Sequence, residues 1–123
     1  MNKTPIISIV DDDESGRIAL SSLVRSMGYE SCLFSCAEDF LASAERSETD
    51  CLITDFQMPG MTGLDLQGQL ASDGQTIPII FITAYPEESV RNRATAAGAV
   101  SFLSKPFDGQ VIIDCIEQIF TRG

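Results

Sequence analysis

Asp11, Asp12, Asp55, Thr83 and Lys105 lie far apart in the chain, yet each closes or directly follows an apolar run. "IISIV" precedes Asp11 and Asp12, "CLIT" precedes Asp55, "IIFIT" ends in Thr83, and "SFLS" precedes Lys105. Carboxylates gathered in one place are costly unless a cation or a proton sits among them. Oxygen donors without histidine or cysteine suit Mg²⁺ or Mn²⁺ rather than zinc. Such a cation can neutralise phosphate oxygens, and an aspartate carboxylate can attack phosphorus to form an acyl phosphate. A hydroxyl and an ammonium can contact the oxygens of the arriving phosphoryl group. The set therefore reads as a carboxylate phosphoacceptor with a divalent cation, a hydroxyl sensor and a lysine clamp.

The elements that must bring these residues together follow from the apolar pattern. "PIISIV" (5–10), "YESCLF" (29–34), "DCLIT" (50–54), "IPIIFIT" (77–83) and "AVSFLS" (99–104) read as strands. Between them run helical patterns. The first carries Ile18, Leu20, Leu23, Val24 and Met27 and stops at Gly28. The second starts at Ser35, which with Glu38 has capping-box spacing, and has Phe40, Leu41 and Ala44 on its apolar side. The third carries Leu64, Leu66 and Leu70 after the loop "QMPGMTG". The fourth starts at Pro86 and runs to about Ala97 with a thin stripe of Val90, Ala94 and Ala97. The last carries Val111, Ile112, Cys115, Ile116, Ile119 and Phe120. Near-continuous apolar strands imply a sheet covered on both faces. The fold class is α/β: a doubly wound, five-stranded parallel sheet with five helices in one domain spanning 1–123. In such sheets ligands bind beyond the carboxyl ends of the strands, where the polar residues above collect.

Composition narrows the function. The 123 residues carry 18 acidic against 8 basic side chains, a net charge of −10, which leaves no basic patch for nucleic acid. The absence of histidine excludes His-based triads, His metal sites and a phosphohistidine carrier. No apolar run approaches the roughly 20 residues of a membrane span, and the N-terminus lacks a signal-peptide pattern, so a cytoplasmic protein without membrane contact is expected. Cys32, Cys36, Cys51 and Cys115 show no metal or redox spacing and are expected to be reduced thiols.

The blocks "ISIVDD", "LITDFQMPGMTGLDL", "PIIFITAY" and "AGAVSFLSKPFD", in this order and spacing, resemble the receiver domain of two-component response regulators, over essentially the whole chain. The wording of the later blocks is most similar to regulators with a C-terminal helix-turn-helix output domain. The resemblance implies a phosphorylation-dependent signalling switch, not a conventional turnover enzyme, that catalyses its own phosphorylation and dephosphorylation. It implies that Asp55 accepts a phosphoryl group from a histidine kinase. Mg²⁺ (or Mn²⁺) would be held by Asp11, Asp12, Asp55 and the backbone carbonyl of Gln57. Thr83 would be the switch hydroxyl, Lys105 the contact to a phosphoryl oxygen, and Phe102 the aromatic switch on the fifth strand. Pro106 would form a cis peptide with Lys105. Phosphorylation would alter the surface of the fourth helix, fifth strand and fifth helix, pair two receivers there, and control a transcriptional output domain of a longer chain.

Two other functions compete. Asp11, Asp13 and Ser15 loosely imitate an aspartyl-phosphate phosphatase, with Asp11 as nucleophile and Asp13 as general acid. A receiver fold can also serve as a phosphorylation-independent interaction module. The acidic run itself divides on the receiver reading: Asp11 and Asp12 are metal ligands, whereas Asp13 and Glu14 suit the start of the first helix.

Overall fold

The computed structural model describes residues 4–84 and 87–121. Five strands, β1 (Ile6–Val10), β2 (Glu30–Phe34), β3 (Cys51–Asp55), β4 (Ile79–Thr83) and β5 (Ser101–Ser104), alternate with α1 (Glu14–Ser26), α2 (Ala37–Leu41), α3 (Gly63–Ser72), α4 (Glu88–Ala96) and α5 (Gly109–Thr121). All neighbouring strands pair in parallel, in the order β2-β1-β3-β4-β5. The expected doubly wound five-stranded sheet is what the chain forms. β1, β3 and β4 are buried at every position, whereas the edge strand β2 is only half-buried, in keeping with its weaker sequence pattern.

The sheet separates two apolar layers. Phe40, Leu52, Leu66, Phe81 and Ala94 fill one, and Ile9, Val24, Ile53, Ile80, Ile112 and Ile116 the other. Each of these side chains larger than alanine, fully buried, contributes about 1.5–3 kcal/mol. The chain leaves β1 toward β2 and reaches β3 on the other side of β1, so a crevice opens at the carboxyl ends of β1 and β3.

Several local expectations need correction. Ser35 does not cap α2. The cap position is Cys36, without a side-chain hydrogen bond, because Glu38 turns outward and accepts the N–H of Met61 at 3.2 Å. Nor does Ala44 extend the apolar face of α2: it is exposed and opens a short 3-10 turn, Ala44–Glu48. The Ser43 hydroxyl donates to Phe40 O at 2.7 Å, a local bond that competes with continued helix. Ile18, placed among the apolar residues of α1, is 53% exposed. The helix start at Pro86 lies outside the described residues. The capping box the structure does contain joins Thr62 and Asp65 at the start of α3. Gly28 ends α1 in the left-handed region, at φ +92°. Among the described residues no helix is long and apolar enough to cross a membrane. All four cysteines are free, and burial, with smaller contributions from Cys115 and Asp50, pushes the Cys51 thiol up to about 12.

Gly63 packs α3 against the end of β3. A Cβ there would lie 2.8 Å from Asp55 O, 2.9 Å from the Phe81 ring and 3.0 Å from Phe56 Cα. Two of those three are backbone atoms. Gly63→Ala is therefore expected to destabilise the fold by about 1–3 kcal/mol, despite alanine's better helix propensity. Urea denaturation checks this; an unchanged midpoint would show that the packing gives way freely.

Candidate functional site

β1 and β3 deliver the acids. Asp11 follows β1 directly; its N–H donates to Phe34 O at 3.1 Å, and its Oδ1 accepts the Asp13 N–H at 2.9 Å. Arg17 Nη1 donates to Asp11 O at 2.7 Å, tying the turn to α1. The next residue, Asp12, faces solvent. Asp55 ends β3, is 7% exposed, and accepts the Gln57 N–H on Oδ1 at 3.2 Å. Carboxylate oxygens of Asp11, Asp12 and Asp55 lie within 4.8 Å of one another. Asp13 stands apart: it caps α1 by accepting the Gly16 N–H at 3.1 Å, and Glu14 occupies the first turn.

β5 brings the counter-charge. Lys105 Nζ donates to Asp55 Oδ2 at 3.1 Å and stands 3.5 Å from Asp11 Oδ2. Its backbone N–H donates to Thr83 O at 2.7 Å, so the ends of β4 and β5 are joined beside the acids. The Lys105–Pro106 peptide is cis. Thr83 closes β4 and is fully buried.

The charges perturb one another. Burial raises the Asp11 carboxyl above its ordinary 3.8, outweighing the Asp13 N–H and the Lys105 ammonium; the Asp55 carboxylate adds to the rise. For Lys105, burial is the largest single influence and pulls downward. The hydrogen bond to Asp55 and the charges of Asp11 and Asp55 overcome it, leaving the ammonium above its ordinary 10.5. The donors fit a hard divalent cation. Every candidate ligand is an oxygen, and buried Asp11 Oδ2 has no hydrogen-bond partner among the described residues, meeting only the ammonium at 3.5 Å.

Phe102 packs in a group of aromatic rings. It is 7% exposed, and its ring lies 5.4 Å from Phe56 and 6.2 Å from Phe81. Phe56 immediately follows Asp55, and its own ring lies 5.4 Å from Phe81. Sequence reasoning missed this aromatic trio, although the adjacency of Phe56 to Asp55 was visible. From outside, the Arg91 guanidinium sits 5.9 Å above the Phe102 ring, and its Nη2 donates to Phe102 O at 3.4 Å. Gly16 was also missed: a Cβ there would fall 2.9 Å from Asp11 Oδ2, so a larger residue would crowd the acid that faces Lys105.

The comparisons with known proteins agree with this geometry. The pattern of the response regulator receiver domain matches residues 7–117, and the chain belongs to that family. It is 44% identical to the response regulator protein TodT of Pseudomonas putida over 94% of this chain and 51% of the relative. It is 38% identical to the transcriptional regulatory protein FixJ of Rhizobium meliloti over 91% of this chain and 55% of the relative. The solved structure of the response regulator StyR superposes with a TM-score of 0.87 at 45% identity, covering 94% of this chain and 59% of that one. The chain thus spans about half the length of the curated relatives it matches. As a receiver domain it serves phosphorelay signalling, through self-catalysed phosphorylation and dephosphorylation of an aspartate rather than turnover of a diffusible substrate.

The acidic cluster can hold a divalent metal, and this carries a stability signature. Mg²⁺ is expected to raise the melting temperature of the parent, with about 2.7 kcal/mol of stabilisation at a hundredfold excess over its dissociation constant; Asp12→Ala should abolish the rise. The sign with pH follows from Asp11. Its folded pKa is raised, so without metal its contribution to stability is present below the ordinary 3.8 and is lost as pH rises through the raised value. Metal binding needs the ionised form, so the Mg²⁺ effect should fade on acidification while pH is still above 3.8. Melting curves with and without Mg²⁺ across pH check both, and identical curves at neutral pH would refute the metal site.

Proposed function

We propose that Asp55 is the phosphoacceptor, that Mg²⁺ is the cation, and that a histidine kinase is the donor. The observation that carries this reading is the placement of the Lys105 ammonium 3.1 Å from Asp55 Oδ2, inside a cluster with Asp11 and Asp12. Asp11, Asp12, Asp55 and the Gln57 carbonyl would hold Mg²⁺, which when bound neutralises charge on the transferring phosphoryl group. An Asp55 oxygen attacks phosphorus, the P–N bond to the donor imidazole breaks, and its electron pair leaves with the imidazole nitrogen. Lys105 is placed to shift from Asp55 Oδ2 to an oxygen of the new acyl phosphate. A groove of about 690 Å³ lined by Asp11, Asp13 and Lys105 together with Leu20, Leu23 and Phe107 adjoins the site and would admit an approaching donor.

The phosphorylated aspartate gains negative charge and acceptor oxygens. The Thr83 hydroxyl moves toward them, and Phe102 leaves its contacts with Phe56, Phe81 and Arg91 for a more exposed rotamer. The change then reaches the surface of α4, β5 and α5, where two phosphorylated receivers pair. The chain is read as the N-terminal receiver of a longer transcriptional regulator, whose C-terminal helix-turn-helix domain supplies DNA contact. The matched relatives' greater length and the name of FixJ as a transcriptional regulatory protein support this. A cytoplasmic location and no membrane contact complete the reading. Asp13 already serves as the α1 cap, which disfavours the phosphatase alternative.

Incubation with acetyl phosphate and Mg²⁺, followed by mass spectrometry, is expected to add one phosphoryl group on Asp55. The label should be lost in Asp55→Asn, and sedimentation of the same sample should show dimer formation at micromolar concentration. Label on Asp11 would favour the phosphatase, and no label would favour the phosphorylation-independent module. A labelled sample that stays monomeric would remove the pairing step alone.

A further inference from the structure

α4 is thinly anchored. Only Ala94 is buried, and Val90 rests half-buried on the core. The carbonyl of that one buried residue is also where α3 reaches across: Gln67 Nε2 donates to Ala94 O at 3.2 Å. The same carbonyl accepts the Ala99 N–H at 3.0 Å, so α3, α4 and the turn into β5 meet at one atom.

Gln67 is an unusual choice for that place. The residue is 5% exposed, and its Oε1 is buried without a hydrogen-bond partner among the described residues. An apolar side chain of similar length would add to overall stability, because it would leave no acceptor unpaired, but it would not hold α4 at one position against α3. The best-attested use of a buried polar group is to set register between packed elements. Room for a second register is present. Gln67 lines a cleft of about 290 Å³ together with Leu70, Ile77, Ala97 and Gly98. The turn that ends α4 is uncrowded: Gly98 has φ +105° and open space around the position of a Cβ.

We propose that Gln67 is a positioning residue of the switch. Its hydrogen bond to Ala94 O sets the resting position of α4, and the modest worth of one such bond leaves that packing only narrowly preferred over a displaced one. Release of this bond frees α4 for the arrangement that phosphorylation selects; that second half rests on the reading of the chain as a phosphorylation switch.

Gln67→Met removes the donor and the unpaired acceptor together. Hydrogen exchange of the whole chain, read by mass spectrometry, is expected to show the α4 amides exchanging about fivefold faster, the effect of losing one ordinary hydrogen bond. The urea midpoint should stay level or rise. Unchanged α4 exchange would overturn the tether, as would acceleration shared equally by β1 and β3, which marks general loss of stability. Gln67→Leu repeats the comparison should the methionine fail to pack. The coupling half is read separately. Acetyl phosphate labelling of Asp55 in the parent tests the switch reading by itself. Given that label, Gln67→Met should be labelled faster than the parent, and equal rates would overturn the coupling.

Discussion

The repulsion among Asp11, Asp12 and Asp55 is the constraint around which the chain is organised. Their oxygens lie within 4.8 Å of one another at the mouth of a parallel sheet. Two unit charges about 4 Å apart repel by roughly 4 kcal/mol at an effective dielectric of about 20. The apolar layers supply the stability that tolerates this, and β1 and β3 hold the acids in place by ending side by side. A cation must offset the rest. In the absence of metal it is Lys105, delivered by β5 and fixed through its N–H to Thr83 O at 2.7 Å. The ammonium answers Asp55 well, at 3.1 Å, and Asp11 poorly, at 3.5 Å. The partial answer leaves room for a divalent ion, and it ties the charge state of the site to the end of β4.

On the proposed reading, two routes lead outward from that point. One is the hydroxyl of Thr83, buried at the end of β4. The other is direct contact: Phe56, the neighbour of Asp55, touches Phe102 ring to ring, and Arg91 of α4 covers Phe102 from outside. On the proposed reading, new charge at Asp55 disturbs both at once. The elements that receive the disturbance are those held least firmly. α4 has one buried residue, and β5 is an edge strand whose residues other than Phe102 are only half-buried. On that reading, strong anchoring on the β1 and β3 side and weak anchoring on the α4 and β5 side would make the response directional.

Much of this was legible in the sequence, for a physical reason. Strands buried on both faces read as unbroken apolar runs, so "IISIV" and "IIFIT" announced themselves, and the residues closing them were bound to gather at one edge. Asp13 as a cap was legible because its side chain satisfies a helix N–H locally. What escaped depended on partners distant in sequence. Ser35 and Glu38 had the spacing of a capping box, but Glu38 had a better use at Met61 N, 23 residues on. Nothing around Gln67, in "LQGQL", tells that α4 lies over it. Gly16 gave no sign that it borders Asp11. Ile18 kept helical spacing yet faces solvent, since periodicity does not say how wide the buried stripe is.

The central claim is that Lys105 and a divalent cation answer the same carboxylates. It is tested most directly by the Mg²⁺ dissociation constant of Lys105→Met beside that of the parent, measured by calorimetric titration at one pH and ionic strength. With the competing ammonium gone, the variant should bind Mg²⁺ several-fold more tightly, consistent with removal of a partly screened charge about 3–4 Å from the ligands. Equal or weaker binding by a folded Lys105→Met would contradict the account.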